Sequence, residues 1–222
     1  MSFEKEFLIF SGNISQAARA FYYHVLVDEQ VKQERYLLKG VQNTPQFWQD
    51  YRLSNLLCAV IILGRIFDKN GRTHSLKSLI KNAEKSEDFS LESLRERKGE
   101  GLKEISVSVD EYLSDVHILD QEDWAQINDF AQSIRVVWNS HFKDIRNKIF
   151  AHEEKLNGEQ KSEYFKKAQY AKLEEIIEKL LTLENVLFHS YHNGARPGFS
   201  WENNLQKSLV NAEVKKVLKK LV

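Results

Sequence analysis

Proline is almost missing from this chain of 222 residues, which has two, and glycine is scarce, with nine. Sheet proteins with many tight turns draw heavily on these two residues, so their scarcity excludes an all-β fold and favours long helices. The lone cysteine, Cys58, excludes an internal disulfide and suits a reducing cytoplasm. It sits in the apolar run at 56–63, where a free thiol is expected to behave as a small core hydrophobe. That run is too short for a membrane span and is flanked by Arg52 and Arg65, and residues 1–6 do not read as a signal peptide. Net charge is missing as well: 32 Lys and Arg balance 32 Asp and Glu, so no overall field draws the chain to nucleic acid or to an anionic membrane.

What is present is a large apolar fraction, 42%, beside 29% charged residues, enough for one substantial core and most simply one domain over 1–222. Charge is uneven locally. Residues 104–134 hold eight acidic residues and no Lys or Arg, whereas 142–172 hold eight basic residues against five acidic.

The periodicity predicts an all-α chain. Asn13 is a plausible N-cap for a helix to about residue 38, with Gly40 as its stop, and Thr44-Pro45 begins a second helix to about residue 68. Ser75 opens a shorter helix, the glycines near 95–101 suggest a break or bend, and another helix is expected over 102–116. Asp120 caps a long helix with the seam Ile127, Phe130, Ile134, Trp138, His141, Ile145 and onward to His152. A single helix is expected over 162–192, then a loop at 194–198 and a final amphipathic helix from about residue 201. In that tail Leu205, Leu209, Val210, Val214, Val217, Leu218 and Leu221 keep helical spacing while Lys207, Lys215, Lys216, Lys219 and Lys220 crowd the other side. Packing on the bundle or on a second subunit, and a basic arm on RNA, are both open readings of the tail.

The chemistry-bearing candidate is the stretch from Asp144 to His152, in the more basic part of the chain. Arg146 is permanently charged and grips phosphate bidentately, and His152 transfers protons near neutral pH. Asn147 can orient either of them by hydrogen bonding, and Lys143 and Lys148 can hold flanking phosphates. Arginine followed by histidine at this spacing also occurs at Arg19/His24 and Arg135/His141, so spacing alone is weak; the context of Asn147 after Arg146 and Ala151 before His152 sets the third copy apart. On a regular helix Arg146 and His152 stand about 120° apart, so one phosphate meets both only at a distorted helix end or across two chains. A structural reading stands beside this one, with Arg146 paired to Asp144 or Glu153 and His152 closing a helix C-terminus.

These residues resemble the HEPN superfamily (higher eukaryotes and prokaryotes nucleotide-binding), helical bundles of which many are ribonucleases with an Arg-x4-6-His motif. Arg146-Asn147-Lys148 with Ala151-His152 looks like the form of its abortive-infection U2 branch, and Arg65-Ile66-Phe67-Asp68 looks like the Arg-aromatic-Asp element that ends a long apolar helix there. The resemblance covers about 47–181. It implies a HEPN-like bundle of long antiparallel helices, here with an extra C-terminal amphipathic helix. It also implies a metal-independent endoribonuclease that uses the RNA 2′-hydroxyl, with Arg146, His152 and Asn147 catalytic, Lys143 and Lys148 on RNA, and no metal or cofactor. The partners implied are RNA, a second copy of the chain completing a composite site at a homodimer interface, and an antitoxin or regulatory protein; the setting is phage defence or toxicity. The alternative is a non-catalytic HEPN module that binds a nucleotide, RNA or a protein. Glu154, two residues after His152, departs from the family tyrosine there. His189 and His192 lack the company of further ligands, and His141 reads as a satisfied core histidine.

Overall fold

The computed structural model describes residues 2–68, 74–104, 108–151, 158–200 and 205–220. Among these residues every regular element is helical: α1 (Phe3–Gln33), α2 (Leu38–Asn43), α3 (Pro45–Ile66), α4 (Leu76–Lys85), α5 (Leu91–Glu104), α6 (Val109–Ser114), α7 (Gln121–His141), α8 (Lys143–Ile145), a π-helical stretch (Arg146–Ala151), α9 (Gly158–Lys167), α10 (Tyr170–Asn193) and α11 (Leu205–Lys219). The all-α bundle expected from composition is the observed architecture.

The central strut is α1. Phe3, Phe7, Phe10, Ile14, Ala17, Ala18 and Phe21 are buried along it, so it is apolar on more than one face and is covered on several sides. Register along α10 is antiparallel: Phe3 meets Tyr191, Phe7 meets Phe188, and the Ser11 hydroxyl donates to Glu184. Against α3 the run is antiparallel too, since Tyr23, His24 and Asp28 near the end of α1 meet Tyr51 and Arg52 near the start of α3. The tail helix α11 lies along α1 in the same direction: Gln206 donates to Ser15 at one end, and Lys215 pairs with Glu34 at the other. Val210, Val214 and Leu218 are buried, so the amphipathic tail packs on the bundle.

Several expected boundaries move. Asn13 is not a cap: α1 starts eleven residues earlier, because Phe3, Phe7 and Phe10 extend the same buried stripe and hold the backbone helical through Gly12. It also ends at Gln33, and Gly40 lies inside α2 instead of stopping α1. Helix α5 runs unbroken through Gly99 and Gly101 to Glu104, and a separate short α6 replaces the helix expected over 102–116. The helix expected over 162–192 is two, α9 and α10, parted where Gln169 goes extended. Cys58 is only half-buried.

Other ends match their chemistry. The Ser75 hydroxyl accepts from Ser78 N, Pro45 opens α3, and α10 closes on Gly194 at φ +58°, where any side chain would meet Val116 and Leu94. Asp120 caps α7 in a reciprocal box: its carboxylate accepts from Asp123 N at 2.9 Å, and Asp123 accepts from Asp120 N at 3.0 Å.

Candidate functional site

The Asp120 box starts α7, and the buried seam Ile127, Ile134 and Trp138 carries it to His141. There the regular helix stops. Phe142 turns inward at φ −125°, buried at 2% exposure, and after one short turn the chain enters the π-helical stretch Arg146–Ala151. Such stretches are rare, cost hydrogen-bond geometry, and recur at functional sites. The uninterrupted helix expected from Asp120 to His152 is therefore broken, and the break falls on the residues singled out for chemistry.

Folding sets this stretch against the end of α3. Gly64, Phe67 and Asp68 from α3 and its end, with Trp138, Asn139, Lys143, Arg146 and Asn147 from the α7 side, line one cleft of about 230 Å³. Its aromatic wall is ordered: Phe67 stacks on Trp138 at 5.1 Å, and Trp138 on Phe142 at 5.9 Å. Gly64 is a seat for Arg146. A Cβ on Gly64 would lie 2.6 Å from Arg146 Nε and 3.1 Å from its Cγ, so glycine alone lets the arginine stem rest on α3.

The guanidinium is half-buried, and its Nη1 donates to Asn147 Oδ1 at 2.8 Å. Its Nε is buried with no hydrogen-bond partner. A charged donor withheld from water and left unpaired is costly. Asp144, considered from the sequence as an ion-pair partner, is exposed, and no pair between it and Arg146 is formed.

Of the five residues expected to act, Arg146, Asn147 and Lys143 come together in the cleft. Lys148 does not line it: its ammonium donates to the Tyr164 hydroxyl at 2.8 Å and stands 5.1 Å from that ring's centre. His152, the expected proton-transfer residue, lies outside the described residues, as does Glu153. The Arg-aromatic-Asp element divides, with Asp68 and Phe67 on the cleft and Arg65 exposed. Trp138 and Asn139 carried no functional signal in the sequence; Gly64 lies in the stretch that carries the Arg-aromatic-Asp resemblance but had no role assigned, although a glycine tolerated inside an apolar helix usually marks a close approach. His141 is half-buried rather than a core residue, and its Nδ1 meets the Lys167 carbonyl at 2.8 Å. Among the described residues no three His, Cys, Asp or Glu side chains are grouped to hold a metal ion, and no helix is long and apolar enough to cross a membrane.

In this all-helical bundle an Arg-Asn pair at a distorted helix end faces the Asp-bearing end of another helix, and the family model that the chain matches is of the HEPN type. More narrowly, the chain belongs to the abortive-infection family AbiU2 of that class, whose model (HEPN_AbiU2) matches residues 4–211. The match takes in α1 and part of α11, so the likeness is wider than the 47–181 first expected. No curated protein and no solved structure matches the chain.

Proposed function

We propose that this HEPN module is a metal-independent endoribonuclease acting in phage defence or as a toxin, with its centre at the Arg146 cleft. The observation that carries the reading is the buried, unpartnered Arg146 Nε beside Lys143 and Asn147 in a cleft between two helix ends. Arginine presents donors in a planar fork, and two of them match two oxygens of one phosphate.

In the proposed reaction the ribose 2′-oxygen attacks the adjacent phosphorus, the bond to the 5′-oxygen breaks, and a cyclic 2′,3′-phosphate and a free 5′-hydroxyl result. A base takes the 2′-hydroxyl proton and an acid returns one to the 5′-oxygen. His152 fills one of these roles, since a histidine with a pKa near about 6.5 populates both forms at neutral pH and such catalysis contributes roughly 10²- to 10⁴-fold. Arg146 holds the scissile phosphate and stabilises the charge that develops on it. Asn147 keeps the guanidinium in place through the 2.8 Å hydrogen bond, and Lys143 and Lys148 hold neighbouring phosphates as point charges. One chain supplies one such histidine, so a two-fold homodimer, in which the partner subunit's His152 takes the other role, completes the pair; a two-fold interface presents the same patch from both subunits. Control by an antitoxin or another regulatory protein belongs to the same reading.

The test is cleavage of total RNA in EDTA by wild type, Arg146→Ala and His152→Ala, with product ends analysed for cyclic phosphate and each protein checked for folding and for dimerisation by sedimentation. Cleavage by wild type alone is expected. Equal cleavage by all three, or none by any under the conditions tried, refutes catalysis at this cleft and leaves a HEPN module that binds nucleotide, RNA or protein without cutting.

A further inference from the structure

The segment that carries Arg146 also walls a second cavity. Phe142, Ile145 and Phe150 form one side of it and Leu53, Leu56 and Val60 of α3 another, enclosing about 520 Å³. That volume lies within the range of small-molecule sites, roughly 300–1,000 Å³, and the walls are mostly apolar, as such sites are. Its polar content is small and specific: His24, Arg52, Gln49 and Tyr170.

His24 defines what can bind. The residue is 4% exposed, and its Nδ1 lies 2.9 Å from the Arg52 carbonyl oxygen. A carbonyl only accepts, so Nδ1 carries the hydrogen, and in the neutral ring Nε2 is left as a bare acceptor. Burial holds the imidazole below its ordinary pKa, which keeps that neutral form. Nε2 is buried and has no hydrogen-bond partner. Buried acceptors of this kind are uncommon, and the missing partner is a donor. Arg52 does not offer the pocket a loose charge: its Nε donates to the His24 carbonyl at 3.3 Å and its Nη2 pairs with Asp28 at 2.7 Å. An anionic ligand is thus disfavoured. The ring of Tyr170, 50% exposed, rests edge-on against the imidazole with centroids 4.9 Å apart, and Leu53 is 52% exposed. An exposed side chain of this sort changes rotamer on a picosecond to nanosecond timescale, so the ring beside the imidazole is one that can move when a ligand enters.

We infer that this cavity is a binding site for a small, neutral, apolar molecule carrying one hydroxyl or N–H group, which donates to His24 Nε2. The site is separate from the Arg146 cleft and its existence does not depend on whether that cleft cuts RNA.

Indole and 1-methylindole are the probes, because they share an apolar body and differ in the N–H donor. Titrated into the full chain by calorimetry or by amide chemical shifts, indole is expected to bind one-to-one and 1-methylindole about tenfold more weakly, the worth of one hydrogen bond near the top of its usual range. His24→Phe should erase that preference. Leu53→Trp, a change at an exposed position that the fold tolerates, should fill the mouth and abolish binding of both probes. No saturable binding of indole to the wild type, equal affinity for the two probes, or indole binding that Leu53→Trp leaves unchanged would each overturn the assignment. Neither readout involves RNA, so a failure here and a failure of the ribonuclease reading are told apart.

Discussion

Substituting Gly64 by alanine moves the proposed phosphate-binding arginine without altering any residue of its motif. The new Cβ would lie 2.6 Å from Arg146 Nε and 3.2 Å from Cδ, whereas unstrained heavy-atom contacts lie near 3.5–4.0 Å, so the stem must retreat by about 1 Å. A misplacement of about 1 Å at a reacting centre can cost roughly 100-fold in rate. Stability should respond quite differently. Alanine is favoured over glycine inside a helix by about 0.8–1.0 kcal/mol, which offsets the strain of displacing a half-buried side chain, so Tm should stay within about 4 °C of wild type for a chain this long. Gly12→Ala is the control, since a Cβ there meets nothing within 4 Å; it should gain the helical stabilisation and leave cleavage alone. The assay is single-turnover RNA cleavage in EDTA, paired with thermal melting. A Gly64→Ala protein that cleaves within about threefold of wild type, while Arg146→Ala is dead, would refute the idea that contact with α3 sets the guanidinium.

Removing α11 should unfold or aggregate the protein, because Val210, Val214 and Leu218 are each worth about 1.5–3 kcal/mol of burial against a total stability of about 5–15 kcal/mol; a truncated chain that melts like wild type but binds RNA with a flatter salt dependence would revive the basic-arm reading. Asp120→Ala removes the 2.9 Å cap on α7 and should cost about 1 kcal/mol, a fall in Tm of about 2–4 °C, with Asp120→Asn largely sparing it; an unchanged melting curve for Asp120→Ala would count against the cap. Burial holds His24 below its ordinary pKa, so the unfolded chain takes up a proton there first as pH falls through about 6.5, and the stability tied to the neutral ring, present above that pH, is lost on the way down towards the folded value. Burial raises Glu184, which has the opposite sign, so the comparison must be with His24→Gln: wild type should lose urea stability relative to that variant between pH 7.5 and 5.5, and parallel curves would remove His24 as the cause. Glu175, held at about 2 mainly by its hydrogen bond to Lys172, keeps its contribution above about pH 4.5 and loses it below, outside that window.

The helical class, the Ser75 and Asp120 caps, the Pro45 start and the loop that begins at Gly194 were legible because each is decided within one turn of chain, by a side chain that satisfies backbone donors or by residues that break a helix. The apolar face of α11 was legible for a similar reason, since period alone marks a face that must be covered; what covers it was not. The errors share a cause. Asn13 is a local start signal and the glycines of α5 are local break signals, and both lost to burial or continuity; the 162–192 helix was split at a point where the apolar period raises no objection. Propensity is a preference of about 1 kcal/mol per residue, and a few buried phenylalanines outweigh it.

Sequence by itself determined that the chain is an all-helical bundle and that Arg146, Asn147 and His152 form its most suggestive polar grouping, because residue chemistry and spacing are one-dimensional properties. Only the tertiary structure decided that the helix bearing them breaks at Phe142 into a π-helical stretch, that Gly64, eighty-two residues earlier in number, is the seat of Arg146, that Asp68 joins the cleft without Arg65, and that Lys148 is held by Tyr164 instead. The physical reason is that an arginine's position is set by what its stem can lie against, and that surface belongs to another helix.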